Sequence, residues 1–141
     1  LAAAVPAVAP EAVAGLRLRR LRACGLSGRK SEYLRDLARH FADGAIQAER
    51  WPEMDDEAVI AELVQVRGIG RWTAEMLLMF CLGRPDVLPV DDLGVRKSMM
   101  LAYGMKALPD AKTMLRTGEA WRPYRSAASW YLWRTTDTVT I

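Results

Sequence analysis

The stretch V-R-G-I-G-R-W-T-A-E-M-L-L, Val66 to Leu78, decides how this chain reads. Gly68 and Gly70 flank a single isoleucine. Arg71 and Trp72 follow, and then a run whose apolar spacing is helical. Glycine takes positive φ and lets another backbone come close. Both properties suit a tight hairpin between two helices, with Ile69 turned inward to pin it. The amides of Gly68, Gly70 and Arg71 then lie near the start of the second helix, where unpaired N–H groups make an anion site. With Arg71 beside them, the natural anion is a backbone phosphate. A plain helix corner has the same two glycines, so the surroundings have to decide.

Outward from the hairpin, the chain reads as consecutive short helices without sustained period-two alternation, which predicts an all-α fold. Helix spacing runs from about Pro10 to Cys24, stopped by Gly25, and from about Gly28 to Asp43, stopped by Gly44. Trp51-Pro52 reads as a turn. Asp55 or Asp56 caps a helix carrying Val59, Ile60, Leu63 and Val66. After the hairpin a helix runs from Gly70 to Leu82 and stops at Gly83. The segment R-P-D-V-L-P-V-D-D is extended by its two prolines. Further helices start near Asp91 or Asp92 and stop at Gly104, run from Pro109 to about Gly118, and begin near Arg122–Pro123. Residues 1–141 form one expected domain, with the helix–hairpin–helix at about 56–83.

Composition narrows the chemistry. With 141 residues the chain holds one real core. Its net charge of +3 does not by itself announce nucleic acid. The cluster Arg17, Arg19, Arg20, Arg22, Arg29 and Lys30 reads as a solvated face. Cys24 and Cys81 have no C-x-x-C spacing, which leaves no zinc site and no iron–sulfur cluster; both are expected as buried thiols. His40, the single histidine, is expected at the surface, so cysteine- or serine-based nucleophilic catalysis has little support. No segment is long and apolar enough to cross a membrane. The opening L-A-A-A-V-P-A-V-A-P lacks a basic start and is a poor signal peptide.

The segment L-V-Q-V-R-G-I-G-R-W-T-A-E-M resembles the helix–hairpin–helix motif of the DNA glycosylase (HhH-GPD) superfamily. Some twenty residues on, L-P-V-D-D-L-G-V-R-K resembles the segment that bears the superfamily's catalytic aspartate. The tail W-R-P-Y-R-S-A-A-S-W-Y-L-W looks like the closing helix of its alkylation-repair branch, the 3-methyladenine DNA glycosylase II type. The resemblance covers roughly Gly25 to Thr135. It implies a multi-helix orthogonal bundle, N-terminally truncated, since no match for the family's upstream helices lies before Pro10 and the chain begins with leucine.

The resemblance also implies a chemistry. The family hydrolyses the N-glycosidic bond of a damaged nucleotide flipped out of the duplex. A fixed carboxylate stabilises the oxocarbenium-like sugar and orients water. Asp91 and Asp92 compete for that role, and either has the makings of a simple N-cap. Matched onto the family's segment, Asp92 takes the catalytic position, with Asp91 as a capping or supporting neighbour. In bifunctional relatives a lysine stands two residues after the hairpin's second glycine and attacks the sugar. Here that position is Trp72, which implies a monofunctional, water-using enzyme. Trp72 and Trp133 match aromatic positions of the base pocket, where electron-rich rings attract a cationic base. Trp51, Trp121 and Trp130 are expected as ordinary core residues. Gly68, Gly70, Arg71 and Thr73 would bind DNA phosphate. Arg125 and Ser126 would meet phosphate or support Asp92. The carbonyls of Val64, Val66 and Ile69 would hold a structural Na⁺ or K⁺, and no other cofactor is required. The implied partner is double-stranded DNA containing alkylated bases. The implied protein is a monomer without membrane attachment, in the cytoplasm or nucleoid of a bacterium or the nucleus of a eukaryote. The rival expectations are a non-catalytic helix–hairpin–helix DNA-binding module, an inactive truncated remnant, and a helical interaction domain whose glycine hairpin is only a corner.

Overall fold

A computed structural model describes residues 8–137. The opening residues 1–7, part of the stretch that reads as a poor signal peptide, lie outside the described residues. Among the described residues eight α-helices follow one another: α1 (Pro10–Ala14), α2 (Leu18–Ala23), α3 (Gly28–Ala42), α4 (Asp56–Leu63), α5 (Arg71–Phe80), α6 (Leu93–Ala102), α7 (Ala111–Gly118) and α8 (Arg125–Asp137). Short 3₁₀ turns span Ala48–Glu53 and Glu119–Trp121. The described residues contain no strand, and the all-α expectation holds. Among them, no helix is long and apolar enough to cross a membrane.

The chain divides into two compact units, Leu1–Arg71 and Trp72–Ile141. In the first, α1 and α2 both pack on α3. Val13, Leu21 and Ala38 form a buried cluster there, flanked by Leu16, Leu18, Leu26 and Leu34. The single helix expected over 10–24 is broken at Gly15, which caps α1 in an ordinary right-handed conformation. Ser27 starts α3 by accepting the Lys30 N–H at 3.3 Å. Trp51, in a 3₁₀ turn rather than a bare turn, is buried, with its indole N–H on Glu62 at 2.9 Å. Asp55 caps α4 through the Ala58 N–H at 2.7 Å, and α4 ends at Leu63, a turn earlier than its apolar stripe suggests.

In the second unit α6 packs on α8. Leu88, Val95, Met99, Met114 and Leu132 make its core, with Val90, Met105, Trp121 and Trp133 packed against them. Asp110 caps α7 through the Thr113 N–H at 2.8 Å. Three expectations about single residues fail. Neither cysteine is a buried thiol: Cys24 is half-buried as the C-cap of α2, and Cys81 is exposed just past α5. Each sits where its helix, and the apolar stripe with it, has run out. Trp130 is not a core residue; it stands exposed on α8, its ring against Tyr131 and beneath the Arg134 guanidinium. His40 is half-buried rather than at the surface, and its Nδ1 lies 2.9 Å from the Asp36 carbonyl.

Candidate active site

Among the described residues three aspartates are helix N-caps, and they are not alike. Asp55 and Asp110 are exposed and each accepts one backbone N–H. Asp92, the N-cap of α6, is buried. Its Oδ1 accepts the Val95 N–H at 2.8 Å and the Trp133 indole N–H at 2.8 Å. Its Oδ2 accepts the Trp72 indole N–H at 2.7 Å. Capping needs only the first of these bonds. The other two bring side chains from α5 and α8 onto one carboxylate. Both tryptophans that stand out in the sequence thus meet the aspartate that stands out with them, though as hydrogen-bond donors as well as rings. Asp91 is exposed and is not the cap, because Asp92 supplies that oxygen itself.

The rings differ in what they present. Trp72, in the first turn of α5, is 45% exposed. Trp133 is half-buried, and the ring of Phe80 stacks on it with centroids 5.8 Å apart and planes 28° apart. Trp72 and Phe80 are eight residues apart on α5, two turns along one face. Leu93, next to Asp92, is also exposed. Gly94 explains how the indole of Trp133 reaches the carboxylate. A Cβ on Gly94 would stand 3.0 Å from Asp92 Oδ1, 3.0 Å from Trp133 Cδ1 and 3.2 Å from Trp133 Nε1. Sequence reasoning misses both Phe80 and Gly94. Phe80 carries a signal in its helical spacing from Trp72; Gly94 carries none beyond lying in the D-D-L-G-V segment.

Arg125 and Ser126 do not support Asp92 directly. Arg125 Nε and Nη2 donate to the two oxygens of Asp86, at 2.6 Å and 2.9 Å, and Arg122 Nη1 adds a bond of 2.7 Å. The Ser126 hydroxyl donates to the Arg84 carbonyl at 2.6 Å and accepts the Val87 N–H at 2.9 Å. Both residues therefore fasten the extended loop that ends at Asp92. The Asp86 carboxyl is pushed upward by burial, but the hydrogen bonds and charge of Arg125, with the charge of Arg122, outweigh this and hold it below the usual range.

At the hairpin the two glycines answer different needs. Gly68 has φ +86°, and a Cβ there would come within 2.2 Å of the Tyr33 ring. Gly70 meets no protein atom within 4 Å of its added Cβ. Ile69 is half-buried, and its N–H donates to the Val66 carbonyl at 3.1 Å. The Arg71 guanidinium forks onto both oxygens of Glu57, so the side chain expected on phosphate is turned to a carboxylate. That pairing lowers the Glu57 pKa through the Arg71 hydrogen bond, against a smaller opposing effect of burial. Arg71 is the first residue of α5, and Thr73 is exposed in its first turn.

Fold and site together define an all-α helix–hairpin–helix protein with a buried, indole-held aspartate. The chain belongs to the HhH-GPD superfamily of base excision DNA repair proteins, whose model matches residues 1–123. It is 39% identical over 127 residues to DNA-3-methyladenine glycosylase 1 of Schizosaccharomyces pombe, covering 89% of this chain and 56% of that protein. It is 38% identical over 128 residues to the putative DNA-3-methyladenine glycosylase YfjP of Bacillus subtilis, covering 91% of this chain and 45% of the relative. The structure of the S. pombe 3-methyladenine DNA glycosylase Mag1 in complex with abasic DNA is similar at a TM-score of 0.80 and 38% identity, covering 92% of this chain and 63% of that one. A DNA-3-methyladenine glycosidase from Bacillus halodurans is similar at a TM-score of 0.79 and 38% identity, covering 89% and 58%. The chain thus spans about half the length of the curated relatives it matches.

Proposed function

We propose that this chain carries the catalytic part of a monofunctional DNA glycosylase that removes alkylated purines of the 3-methyladenine class in base excision repair. The observation that supports it most is Asp92, a capping aspartate that is buried and gripped by two indole N–H groups. A module built only to grip DNA gains nothing from a carboxylate beside its phosphates. A carboxylate held in an apolar setting stabilises a sugar on which positive charge develops, and it orients the water that attacks the anomeric carbon. Alkylated purines are cationic and leave without strong acid assistance. The exposed face of Trp72 suits such a base. The base has to be flipped out for Asp92 to approach its sugar.

The DNA partner is a duplex, gripped at the hairpin by the amides of Gly68, Gly70 and Arg71 with Thr73 beside them. The superfamily's monovalent cation fits the donors present. The carbonyls of Val64, Val66 and Ile69 are three neutral oxygens, a hard set for Na⁺ or K⁺, and Val66 keeps one lone pair beyond its bond to Ile69. When bound, the cation would link the hairpin to phosphate and supply no chemistry at the sugar. Such a protein works where DNA is, in a nucleoid or a nucleus.

The test is release of free methylated purine from alkylated duplex DNA by this chain and by Asp92→Asn. The expected result is release by the first, leaving abasic DNA, and a rate at least about a thousandfold lower for the second. Retained DNA binding with no release from either chain would favour the binding-module reading.

A further inference from the structure

Phe80 stands outside the chemistry described so far. It is 60% exposed at the end of α5, yet its ring stacks on Trp133. An indole donates only along its ring plane, so the tilt of Trp133 sets the direction of its N–H. Two contacts limit that tilt. Phe80 lies on a face of the ring, and the ring's N–H edge occupies the space where any side chain on Gly94 would begin. The N–H so directed meets Oδ1 of Asp92, which already holds the Val95 N–H. Among the described residues, Oδ2 has the single bond from Trp72.

We propose that Phe80 and Gly94 are positioning residues acting on Asp92 through Trp133. Phe80 holds the ring, Gly94 admits its edge, and the indole N–H occupies Oδ1 so that Oδ2 is the oxygen turned to the substrate. Trp133 is then a donor that orients the carboxylate, and stacking on the damaged base falls to Trp72. This rests on the glycosylase reading above, and it adds two residues and a division of labour between the tryptophans.

Indole N–H resonances of the ¹⁵N-labelled chain, without DNA, read the contact directly, with Trp133→Phe to assign the signal. Single-turnover release of methylated purine reads its consequence. In Phe80→Ala and Gly94→Ala the Trp133 signal should move away from its hydrogen-bonded position. The release rate should fall between about ten- and a hundredfold with little change in substrate affinity, as expected when a reacting group is slightly misplaced. Phe80→Tyr, which keeps a stacking ring, should restore both. Trp133→Phe, which keeps a ring and loses the donor, should be as slow as Phe80→Ala. An unmoved Trp133 signal in Phe80→Ala overturns the proposal whatever the rate does. So does a Phe80→Tyr chain as slow as Phe80→Ala. Absence of release from the unaltered chain would count against the glycosylase reading instead, and the indole signal would still decide the contact.

Discussion

Gly68 and Gly70 are two residues apart and make opposite predictions. Gly68 is fixed from inside the protein, by its positive φ and by the Tyr33 ring where a Cβ would lie. Gly68→Ala should lower stability by about 2–4 kcal/mol, seen in a urea or thermal melt, because backbone strain adds to a steric overlap that an aromatic ring cannot easily relieve. Gly70 has open space around its added Cβ. Gly70→Ala should therefore change stability by less than about 1 kcal/mol. If the hairpin grips phosphate, the same variant should bind DNA at least about tenfold more weakly, because a methyl group now stands where the phosphate approaches. Equal loss of stability in both variants would return Gly70 to the role of a plain corner. The spacing of the two glycines is legible as a tight turn in the amino-acid sequence alone. Their division is not, because Tyr33 belongs to α3 and nothing in a local window brings it to the hairpin. Asp92 is similar. Its capping role and its place in the D-D pair can be read locally, while the two indole bonds join α5, α6 and α8. Arg71 shows a different limit: an arginine beside exposed amides reads as a phosphate ligand, and nothing in a local window shows that its guanidinium pairs with Glu57 in α4.

Among the elements, the extended loop from Arg84 to Asp91 has the most to hold in place and no helical hydrogen bonds of its own to do it. Its restraint comes from the start of α8, through the Asp86–Arg125 pair and the Ser126 hydroxyl. Asp86→Asn should weaken the second unit by about 2 kcal/mol, since it removes the charge from bonds to two guanidiniums. The pH dependence has a definite sign. The folded pKa of Asp86 lies below its ordinary value, so the unfolded chain takes up the proton first as acid is added. The pair's contribution is complete above the ordinary carboxylate pKa of about 4 and is lost as pH falls through the lower folded value. The unaltered chain should thus lose more stability than Asp86→Asn between about pH 4 and pH 2 in paired denaturation curves. Prolines mark this segment as extended from sequence alone, and Arg125 and Ser126 stand out there at the head of α8. What they hold is not legible, because the loop and the aspartate at its end are close in sequence and only the loop is within their reach. Helix boundaries are legible mainly where glycine follows: α3 ends one residue before Asp43, as its stripe indicates. They are not where a helix breaks in ordinary geometry, as at Gly15.

For the whole molecule, a net charge of +3 makes the proposed DNA binding a matter of local contacts rather than of bulk attraction. Binding should weaken with salt at a slope of about −0.9 in log–log terms per phosphate neutralised by a cationic side chain. Because the Arg71 guanidinium is engaged by Glu57, Arg71→Gln should change that slope by less than about half a unit, where a direct phosphate contact would change it by about 0.9. Fluorescence anisotropy across a salt series checks this, and a full-unit change would mean that Arg71 leaves Glu57 when DNA arrives. The product of the proposed reaction gives the sharper reading. A glycosylase that also cuts the strand needs an amine to form a Schiff base with the sugar. At the position where bifunctional relatives carry that lysine, this chain has Trp72, whose indole N–H is directed at Asp92 and whose nitrogen is no nucleophile. Borohydride added during turnover should therefore trap no protein–DNA adduct. The abasic strand should stay intact until heated in alkali. Spontaneous nicking together with a trapped adduct would require an amine from elsewhere in the chain, and would make water the wrong nucleophile for the site built around Asp92.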